Sequence, residues 1–331
     1  MTTIGKDVFT AWIMGMVLPG VLLNAAVMFT PPDVSVPEKT VVETTAISEA
    51  KGEDAAEYTV LLRDQLGKVS EGNLEQYLVG VVLAEMPASF ETEALKAQAV
   101  VARTYATKAY ETGGKHGDGS ICMRPGCCQA YIQEADYLGQ GGTQENLEKV
   151  KRAVADTAGY VLTYEDTLIE AVYFSSSGGR TEDAAAVWGT DFPYLQSVVS
   201  PGEENSAYHT DRVSFTPEAF QRLLGVTLPG SPESWFGSVS ETDGGGVETM
   251  YIGGTAYPGT QLRSKLGLRS TDFAMEVSEG KIIVTTHGYG HRVGMSQYGA
   301  DAMAVAGASF ADILTHYYPG TELHLLETIE E

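Results

Sequence analysis

The sequence predicts an α+β protein in which helices pack with antiparallel β-hairpins and sheets around a cleft, preceded by one N-terminal transmembrane helix. Three observations support this prediction: apolar residues recur at helical spacing in several segments, short strand-like runs are separated by glycine-rich turns, and no regular strand–helix alternation indicates a parallel sheet. The chain has 331 residues, enough for a sizeable core. Its net charge of -23 argues against binding to nucleic acid, because phosphates require a basic surface.

The N-terminal run of residues 8–30 carries no charged side chain and is long enough to cross a bilayer. A cleaved signal peptide is the alternative, but the run is long for the apolar part of such a peptide. Lys6 precedes the run, which favours an N-terminus on the cytoplasmic side. We therefore expect a short N-terminus and transmembrane anchor over residues 1–30, a flexible acidic linker over 31–57, and a folded region over 58–331 outside the membrane.

The next element is a helix with the sequence NLEQYLVGVVLAE, which ends at Glu85. Asn73 can cap it, with Gln76 in the capping-box position, and Pro87 ends it. The apolar face comprises Leu74, Tyr77, Leu78, Val81 and Val82. Glu85 falls on the same face, where a carboxylate is unfavourable unless it is paired or used. Helical spacing alone leaves two alternatives open: a functional group, or a side chain that reaches past the helix end to water or an arginine.

Further elements follow from apolar spacing and turn residues. A second helix over residues 92–110 is rich in alanine, so it can pack closely against its neighbours and is expected to be central. Residues 160–164 and 168–174, separated by Glu165 and Asp166, indicate a hairpin. Other strands are predicted at 58–62, 247–252, 273–277 and 281–286, and other helices at 297–305 and 310–317.

A loop with the sequence HGDGSICMRPGCC contains all three cysteines of the chain. One histidine and three cysteines match the inventory of a tetrahedral Zn²⁺ site. The four candidate ligands are His116, Cys122, Cys127 and Cys128. A disulfide from Cys122 to Cys127 or Cys128 is the alternative, since an extracytoplasmic location permits one. The thiol left over by such a disulfide favours the metal site.

Two polar loops are the remaining candidates for function. The first, YFSSSGGRTEDA at residues 173–184, has serines and glycines suited to hydroxyl-bearing ligands, and it lacks the G-x-S-x-G pattern of a nucleophile elbow. The second is HGYGHRVGMSQYGA at residues 287–300. Its histidines at 287 and 291 are separated by glycines and no glutamate follows the first, so a zinc-protease helix is not indicated. Each loop taken alone is also compatible with a plain structural connection.

Three stretches together closely resemble the stage II sporulation protein D family over about residues 58–323. They read YLVGVVLAEMPASFETEALKAQAVVARTYA, YFSSSGGRTEDA and HGYGHRVGMSQYGADAMAVAGASFADILTHYYPGTEL. The resemblance implies a membrane-anchored lytic transglycosylase that cuts peptidoglycan glycan strands during engulfment in endospore-forming bacteria. Strands whose stem peptides an amidase has removed are its preferred substrate. It also implies amidase or endopeptidase partners, membrane scaffold proteins of the engulfment machinery, and a wall-facing catalytic region.

The resemblance assigns roles residue by residue. Glu85 matches the catalytic acid/base of the family, and the zinc of some members maps to His116, Cys122 and Cys128, with Cys127 where a histidine can occur. We expect a structural role for this zinc. Tyr289 and Arg292 stand where the commoner form of the third stretch has tryptophan and glycine.

The family chemistry explains a lone carboxyl group, because the muramic 6-hydroxyl of the substrate is the nucleophile and an apolar surround raises the pKa of the acid. We expect both polar loops to flank Glu85. The expected substrate-binding residues are Arg103, Tyr173, Ser175, Ser177, His291, Ser296 and Gln297. Two alternatives stay open: a zinc-dependent peptidoglycan amidase or peptidase, and a non-catalytic glycan-binding scaffold.

Overall fold

Helices and mostly antiparallel sheets make up the protein, in agreement with the predicted α+β class. The computed structural model describes residues 58–204 and 206–326. The predicted anchor and linker therefore lie outside the described residues. Within residues 58–204 and 206–326, no helix combines the length and the apolarity needed to cross a bilayer.

The secondary structure alternates short strands with helices. The helices are α1 Leu74–Glu85, α2 Thr92–Thr112, α3 Glu134–Gly139, α4 Gln144–Asp156, α5 Ala184–Trp188, α6 Pro217–Leu224, α7 Gly259–Leu266, α8 Gln297–Val305 and α9 Phe310–Tyr317. The strands are β1 Thr59–Arg63, β2 Val69–Asn73, β3 Ser120–Cys122, β4 Tyr160–Tyr164, β5 Thr167–Leu168, β6 Tyr173–Phe174, β7 Thr210–Phe215, β8 Phe236–Glu241, β9 Val247–Ile252, β10 Thr255–Pro258, β11 Asp272–Ser278, β12 Lys281–His287, β13 Met295–Ser296 and β14 Glu322–Leu325.

Helices α1 and α2 form the centre of the first hydrophobic core. The amide of Gln76 donates to the Asn73 side chain at 3.0 Å, which confirms the predicted N-cap of α1. The predicted apolar face of α1 is narrower than the buried surface of the helix, because Val79, Gly80 and Leu83 are buried as well. The ring of Tyr131 explains the glycine: a Cβ on Gly80 would lie 2.3 Å from it. Helix α2 is central as predicted, since it contacts α1, α4, α8 and α9.

The predicted hairpin at 160–174 is only partly correct. Strand β4 pairs antiparallel with β5, and the turn uses Glu165 and Asp166 in the left-handed region at φ 49° and 59°. The second predicted strand is then interrupted: β5 ends at Leu168, and the chain resumes as β6, which pairs in parallel with β13. That switch carries the first polar loop away from the hairpin and beside the second polar loop.

A second hydrophobic core lies between the two polar loops in sequence. It consists of the antiparallel sheet β11–β12–β7, the antiparallel sheet β10–β9–β8, and helices α6 and α7. Its buried side chains include Phe220, Trp235, Leu262, Ile282 and Val284. Because β12 ends at His287, the second polar loop begins where this sheet ends. The loop then packs against the first core through Val293 and Met295.

Candidate active site

Glu85 is the last residue of α1, and its side chain is half-buried. Met86 leaves the helix in an extended conformation at φ -120° and ψ 144°, as expected for a residue before Pro87. The backbone N–H of Ala130 donates to Oε1 of Glu85 at 2.7 Å. The side chains of Tyr173 and Gln297 also hydrogen-bond to this carboxyl group. The helix end, the segment after the cysteine loop and both polar loops therefore meet at one carboxyl group.

Burial raises the pKa of Glu85 above its ordinary value of 4.5, and the three hydrogen bonds to the carboxylate only partly oppose this shift. In the described part of the chain, the groups that act on this pKa are a backbone amide and two neutral side chains. Neither an arginine nor a second carboxylate is among them. The environment therefore favours a carboxyl group that keeps its proton to higher pH and can donate it.

Tyr173 is held against Glu85 by a chain of polar side chains. Burial and the neighbouring Glu85 raise the pKa of Tyr173 well above its ordinary value of 10.0, so its hydroxyl keeps its proton and can donate to the carboxylate. The Gln129 amide donates to that hydroxyl at 3.4 Å, and the Tyr77 hydroxyl donates to Gln129 at 3.2 Å. Sequence reasoning missed Gln129, since no pattern links it to α1.

Gln297 reaches the same carboxyl group from the first turn of α8. Its amide also donates to the Gln98 side chain on α2 at 3.4 Å. Gln98 is completely buried, and its own Nε2 has no hydrogen-bond partner among the described residues. Sequence reasoning missed Gln98 as well, because it lies among the small residues of α2 and no spacing pattern marks it.

The two polar loops lie side by side. Residues Ser176 and Tyr289 exchange backbone hydrogen bonds of 3.1 and 2.7 Å, and Tyr173 pairs with Met295 in the parallel β6–β13 ladder. The geometry thus brings both loops next to Glu85, as the sequence led us to expect.

Serine hydroxyls in these loops are largely committed to the interior. Ser177 is completely buried, and its hydroxyl donates to Glu203 at 2.7 Å. Ser296 is also buried and caps α8 by accepting from the Gly299 amide at 3.2 Å. Ser175 contributes its carbonyl oxygen, which accepts from the Tyr298 amide at 3.0 Å. These serines shape the loops from within.

The imidazole of His291 is fixed between two aromatic rings. Its ring centroid lies 5.7 Å from that of Phe174 and 5.2 Å from that of Trp188. The Val293 amide donates to its Nδ1 at 3.1 Å. Burial, assisted by the positive charge of Arg263, lowers the pKa of His291 to about 4. The ring is therefore neutral near pH 7.

Arg103 is an expected substrate-binding residue that the structure does not bring to this site. It is completely buried, and its guanidinium donates to both carboxylate oxygens of Glu75 at 2.7 and 2.6 Å. Glu75 lies in the first turn of α1. Glu85 is therefore about 15 Å further along the helix, at 1.5 Å per residue. Arg103 instead joins α2 to α1 and to the carbonyl of Tyr160.

Arg292 connects the second polar loop with its surroundings. It is 1% exposed and adopts a left-handed φ of 67°, a conformation that glycine adopts more readily. Its guanidinium donates to the carbonyls of Ser177 at 2.7 Å and Gly244 at 2.7 Å. It also pairs with Glu182 at 3.3 Å and Asp272 at 3.4 Å. One side chain thus ties both loops to the second core.

The cysteine loop assembles four candidate metal ligands. The ligand atoms of His116, Cys122, Cys127 and Cys128 all lie within 4.8 Å of one another. His116 Nε2 lies 3.6 Å from the Cys128 sulfur and 3.9 Å from the Cys127 sulfur. A tetrahedron with Zn–S near 2.3 Å and Zn–N near 2.0 Å has edges of about 3.5–3.8 Å. The three cysteines are free thiols, so the residues present fit a zinc ion.

This cluster is directly connected to Glu85 through the backbone. Cys128 is followed by Gln129, which contacts Tyr173, and by Ala130, which donates to Glu85. A metal held by Cys128 would therefore set the position of two groups that act on the carboxyl group.

Comparisons with known proteins show which proteins this chain is similar to. A family model described as stage II sporulation protein matches residues 63–164. Stage II sporulation protein D of Bacillus subtilis (strain 168) is 44% identical over 255 residues, or 76% of this chain and 74% of that protein. The protein of the same name from Bacillus amyloliquefaciens is 42% identical over the same shares of the two chains. An amidase enhancer of Bacillus subtilis (strain 168) is 30% identical over 74% of this chain and 40% of that protein. The chain belongs to the stage II sporulation protein D family.

Proposed function

We propose that this sporulation protein is a lytic transglycosylase that cleaves the glycan strands of peptidoglycan to 1,6-anhydro-muramic ends. The observation that carries the proposal is the environment of Glu85: a half-buried carboxyl group with a raised pKa, neutral hydrogen-bond partners and two polar loops beside it. Denuded strands, from which stem peptides have been removed, are the proposed substrate, and engulfment is the proposed setting.

A single carboxyl group is sufficient for this reaction. Glu85 protonates the oxygen of the glycosidic bond as that bond breaks, and the muramic 6-hydroxyl then attacks the same anomeric carbon. The resulting carboxylate removes the proton of that hydroxyl. No water molecule is consumed, so the second carboxylate that a hydrolase needs to activate water or to act as nucleophile is unnecessary.

The neighbours of Glu85 support both halves of the cycle. Burial favours the protonated form that starts the reaction. Once the proton has left, the Ala130 amide, the Tyr173 hydroxyl and the Gln297 amide stabilise the carboxylate. Because these donors are already in place, little reorganisation accompanies the change in charge.

We further propose that Zn²⁺ bound by His116, Cys122, Cys127 and Cys128 has a structural role. Four protein ligands close a tetrahedral site, whereas a catalytic zinc keeps one position open. This argues against a zinc-dependent amidase or peptidase. When bound, the ion supplies a fixed crosslink, and the residues that follow Cys128 then hold Ala130 against Glu85.

The location and the partners are also proposals. Residues 1–30 would anchor the chain in the cell membrane with a cytoplasmic N-terminus and a wall-facing catalytic region. The relative named an amidase enhancer supports an amidase as a functional partner, since an amidase produces the denuded strands. A non-catalytic glycan-binding scaffold remains the second candidate, because the polar loops would serve binding alone.

Mass spectrometry of the products formed from denuded glycan strands tests the proposal. A transglycosylase yields 1,6-anhydro ends, a hydrolase yields reducing ends, and a scaffold yields no product while still binding the strand. Intact muropeptides with stem peptides serve as the control substrate, on which an amidase or peptidase would release peptides. Products other than anhydro ends would contradict the proposal.

A further inference from the structure

Trp188 is an exposed aromatic residue without an evident role in folding. Trp188 is the last residue of α5, and it is 44% exposed. Its indole N–H has no hydrogen-bond partner among the described residues. A large apolar side chain in water is unfavourable for folding, and exposed tryptophan rings are concentrated at binding surfaces. Two other aromatic residues have similar exposure, Tyr110 at 45% and Tyr251 at 43%.

Trp188 differs from those two tyrosines in what it contacts. Its ring centroid lies 5.2 Å from that of His291, at an interplanar angle of 55°. The imidazole of His291 hydrogen-bonds to the backbone of Tyr173, and the Tyr173 hydroxyl bonds to Glu85. The indole is thus connected to the carboxyl group through two intervening residues, His291 and Tyr173.

The position of the indole is fixed at both ends of α5. Asp183 caps the helix by accepting from the Ala185 amide at 2.6 Å, and Gly189 ends it at a left-handed φ of 75°. Just before α5, the Glu182 amide donates to the carbonyl of Arg292 at 2.6 Å. The neutral imidazole supports one side of the ring, while much of the remaining indole surface is open to solvent.

An aromatic surface that is rigid, uncharged and adjacent to polar groups suits a sugar ring. The axial C–H groups of a pyranose form an apolar face that packs on an aromatic ring, while its equatorial hydroxyl and acetamido groups point outward to hydrogen-bond partners. Tryptophan offers a large area for such a contact at a low cost in conformational entropy, and its N–H can bond one sugar oxygen.

We infer that Trp188 is a carbohydrate-stacking residue, on which one N-acetylated sugar ring of the glycan strand packs next to His291. This inference rests on the proposed function, since it takes the substrate of Glu85 to be a glycan. It adds a binding residue beyond the two polar loop tips, and it extends the glycan-binding surface from the carboxyl group along His291 to α5.

Binding in a non-cleaving background tests the inference independently of the chemistry. The full-length parent chain carries two substitutions. Glu85→Gln lets denuded strands bind without being cut. Trp12→Phe leaves Trp188 and Trp235 as the two tryptophans that contribute to the emission. Calorimetric titration with denuded strands should show affinity on the order of tenfold weaker for Trp188→Ala, the scale typical of a buried tryptophan contact. Trp188→Phe should retain part of the affinity.

A spectroscopic readout separates direct contact from a structural effect. Strand binding should shift the tryptophan emission to shorter wavelength, because the indole of Trp188 leaves water, whereas Trp235 is already 4% exposed. The shift should be absent in Trp188→Phe. Tyr251→Ala is the matched control, because Tyr251 has nearly the same exposure and lies on β9 of the second core. It should change neither the affinity nor the emission shift.

The outcomes distinguish the two proposals. Binding that is weakened in Trp188→Ala supports the stacking role whatever products the wild-type chain forms. Equal binding by the parent and Trp188→Ala, or an unchanged emission spectrum on binding, overturns the stacking role and leaves the transglycosylase proposal standing. A chain that neither binds nor cleaves denuded strands overturns both.

Discussion

Two carboxyl groups of this protein, Glu85 and Glu182, have pKa values shifted in the same direction but lie in different surroundings. Burial raises the pKa of each above the ordinary 4.5. Glu182 is completely buried and is paired with the guanidinium of Arg292 at 3.3 Å. The Thr242 hydroxyl lies 2.9 and 2.8 Å from its two carboxylate oxygens, which share the single hydroxyl proton. Glu85 is half-buried, and its hydrogen-bond partners in the described ranges, 58–204 and 206–326, are neutral.

The difference shows that a raised pKa does not by itself identify a catalytic acid. Structural ion-pair networks perturb pKa values too, and Glu182 belongs to one. What sets Glu85 apart is access, because part of its side chain remains exposed where the polar loops meet. Among the residues that the structure describes, no cation acts on its pKa, so its charge can change during the proposed reaction at modest cost.

The largest expected effect is on glycan cleavage by Glu85→Gln. The amide keeps the size and one acceptor oxygen of the carboxyl group but has no proton to transfer. We expect cleavage of denuded strands to fall by roughly 10²–10⁴-fold, the usual contribution of general acid–base groups. Release of anhydro products over time measures it.

Glu91→Gln is the matched control, since Glu91 is exposed and lies six residues along the same segment. It should cleave at the wild-type rate. If Glu85→Gln retained activity within a few-fold of wild type, Glu85 would not be the acid.

The second prediction concerns the buried ion pair of Arg292 with Glu182. Arg292→Met leaves the buried Glu182 and the partly exposed Asp272 without their cation, and breaking a buried pair typically costs about 3–5 kcal/mol of unfolding free energy. The same substitution in an exposed pair, Arg212→Met, should cost about 0–1 kcal/mol, because Arg212 and Glu276 are each 62% exposed. Chemical denaturation of both variants measures the difference, and equal effects would contradict the proposed role of burial.

Sequence reasoning predicts the features that depend on local contacts and misses those that depend on tertiary contacts. Helix α1 ends at Glu85 as predicted, and α8 and α9 have the predicted bounds, because caps, proline and apolar spacing act within a few residues. Strand β6 was misassigned to the hairpin, since its partner β13 lies far along the chain. Tyr173 and Gln297 were anticipated as polar loop residues. Gln129 and Ala130 act through tertiary contacts alone, which no local pattern reports.

The third prediction tests the metal. Purified protein should contain about one zinc per chain by elemental analysis, and Cys122→Ser should lower both zinc content and melting temperature, because metal-binding energy is folding energy. A chelator should destabilise the wild type but hardly affect the variant, whose site is already broken. Zinc-free protein with a mapped disulfide among Cys122, Cys127 and Cys128 would contradict the site.

The smallest expected effect is the pH dependence of stability at Glu85. Burial raises its folded pKa above 4.5, so the folded chain binds more protons than the unfolded chain between the unfolded and folded pKa values. Stability is therefore lost as pH rises through that window, and the loss is complete above the folded pKa. Glu85→Gln does not titrate, so its melting temperature should gain on that of the wild type as pH rises from about 4 to 8. Glu91→Gln supplies the control for general charge effects. If the melting temperature of Glu85→Gln minus that of the wild type stays constant or falls as pH rises, burial does not favour the protonated acid on which the proposed mechanism depends.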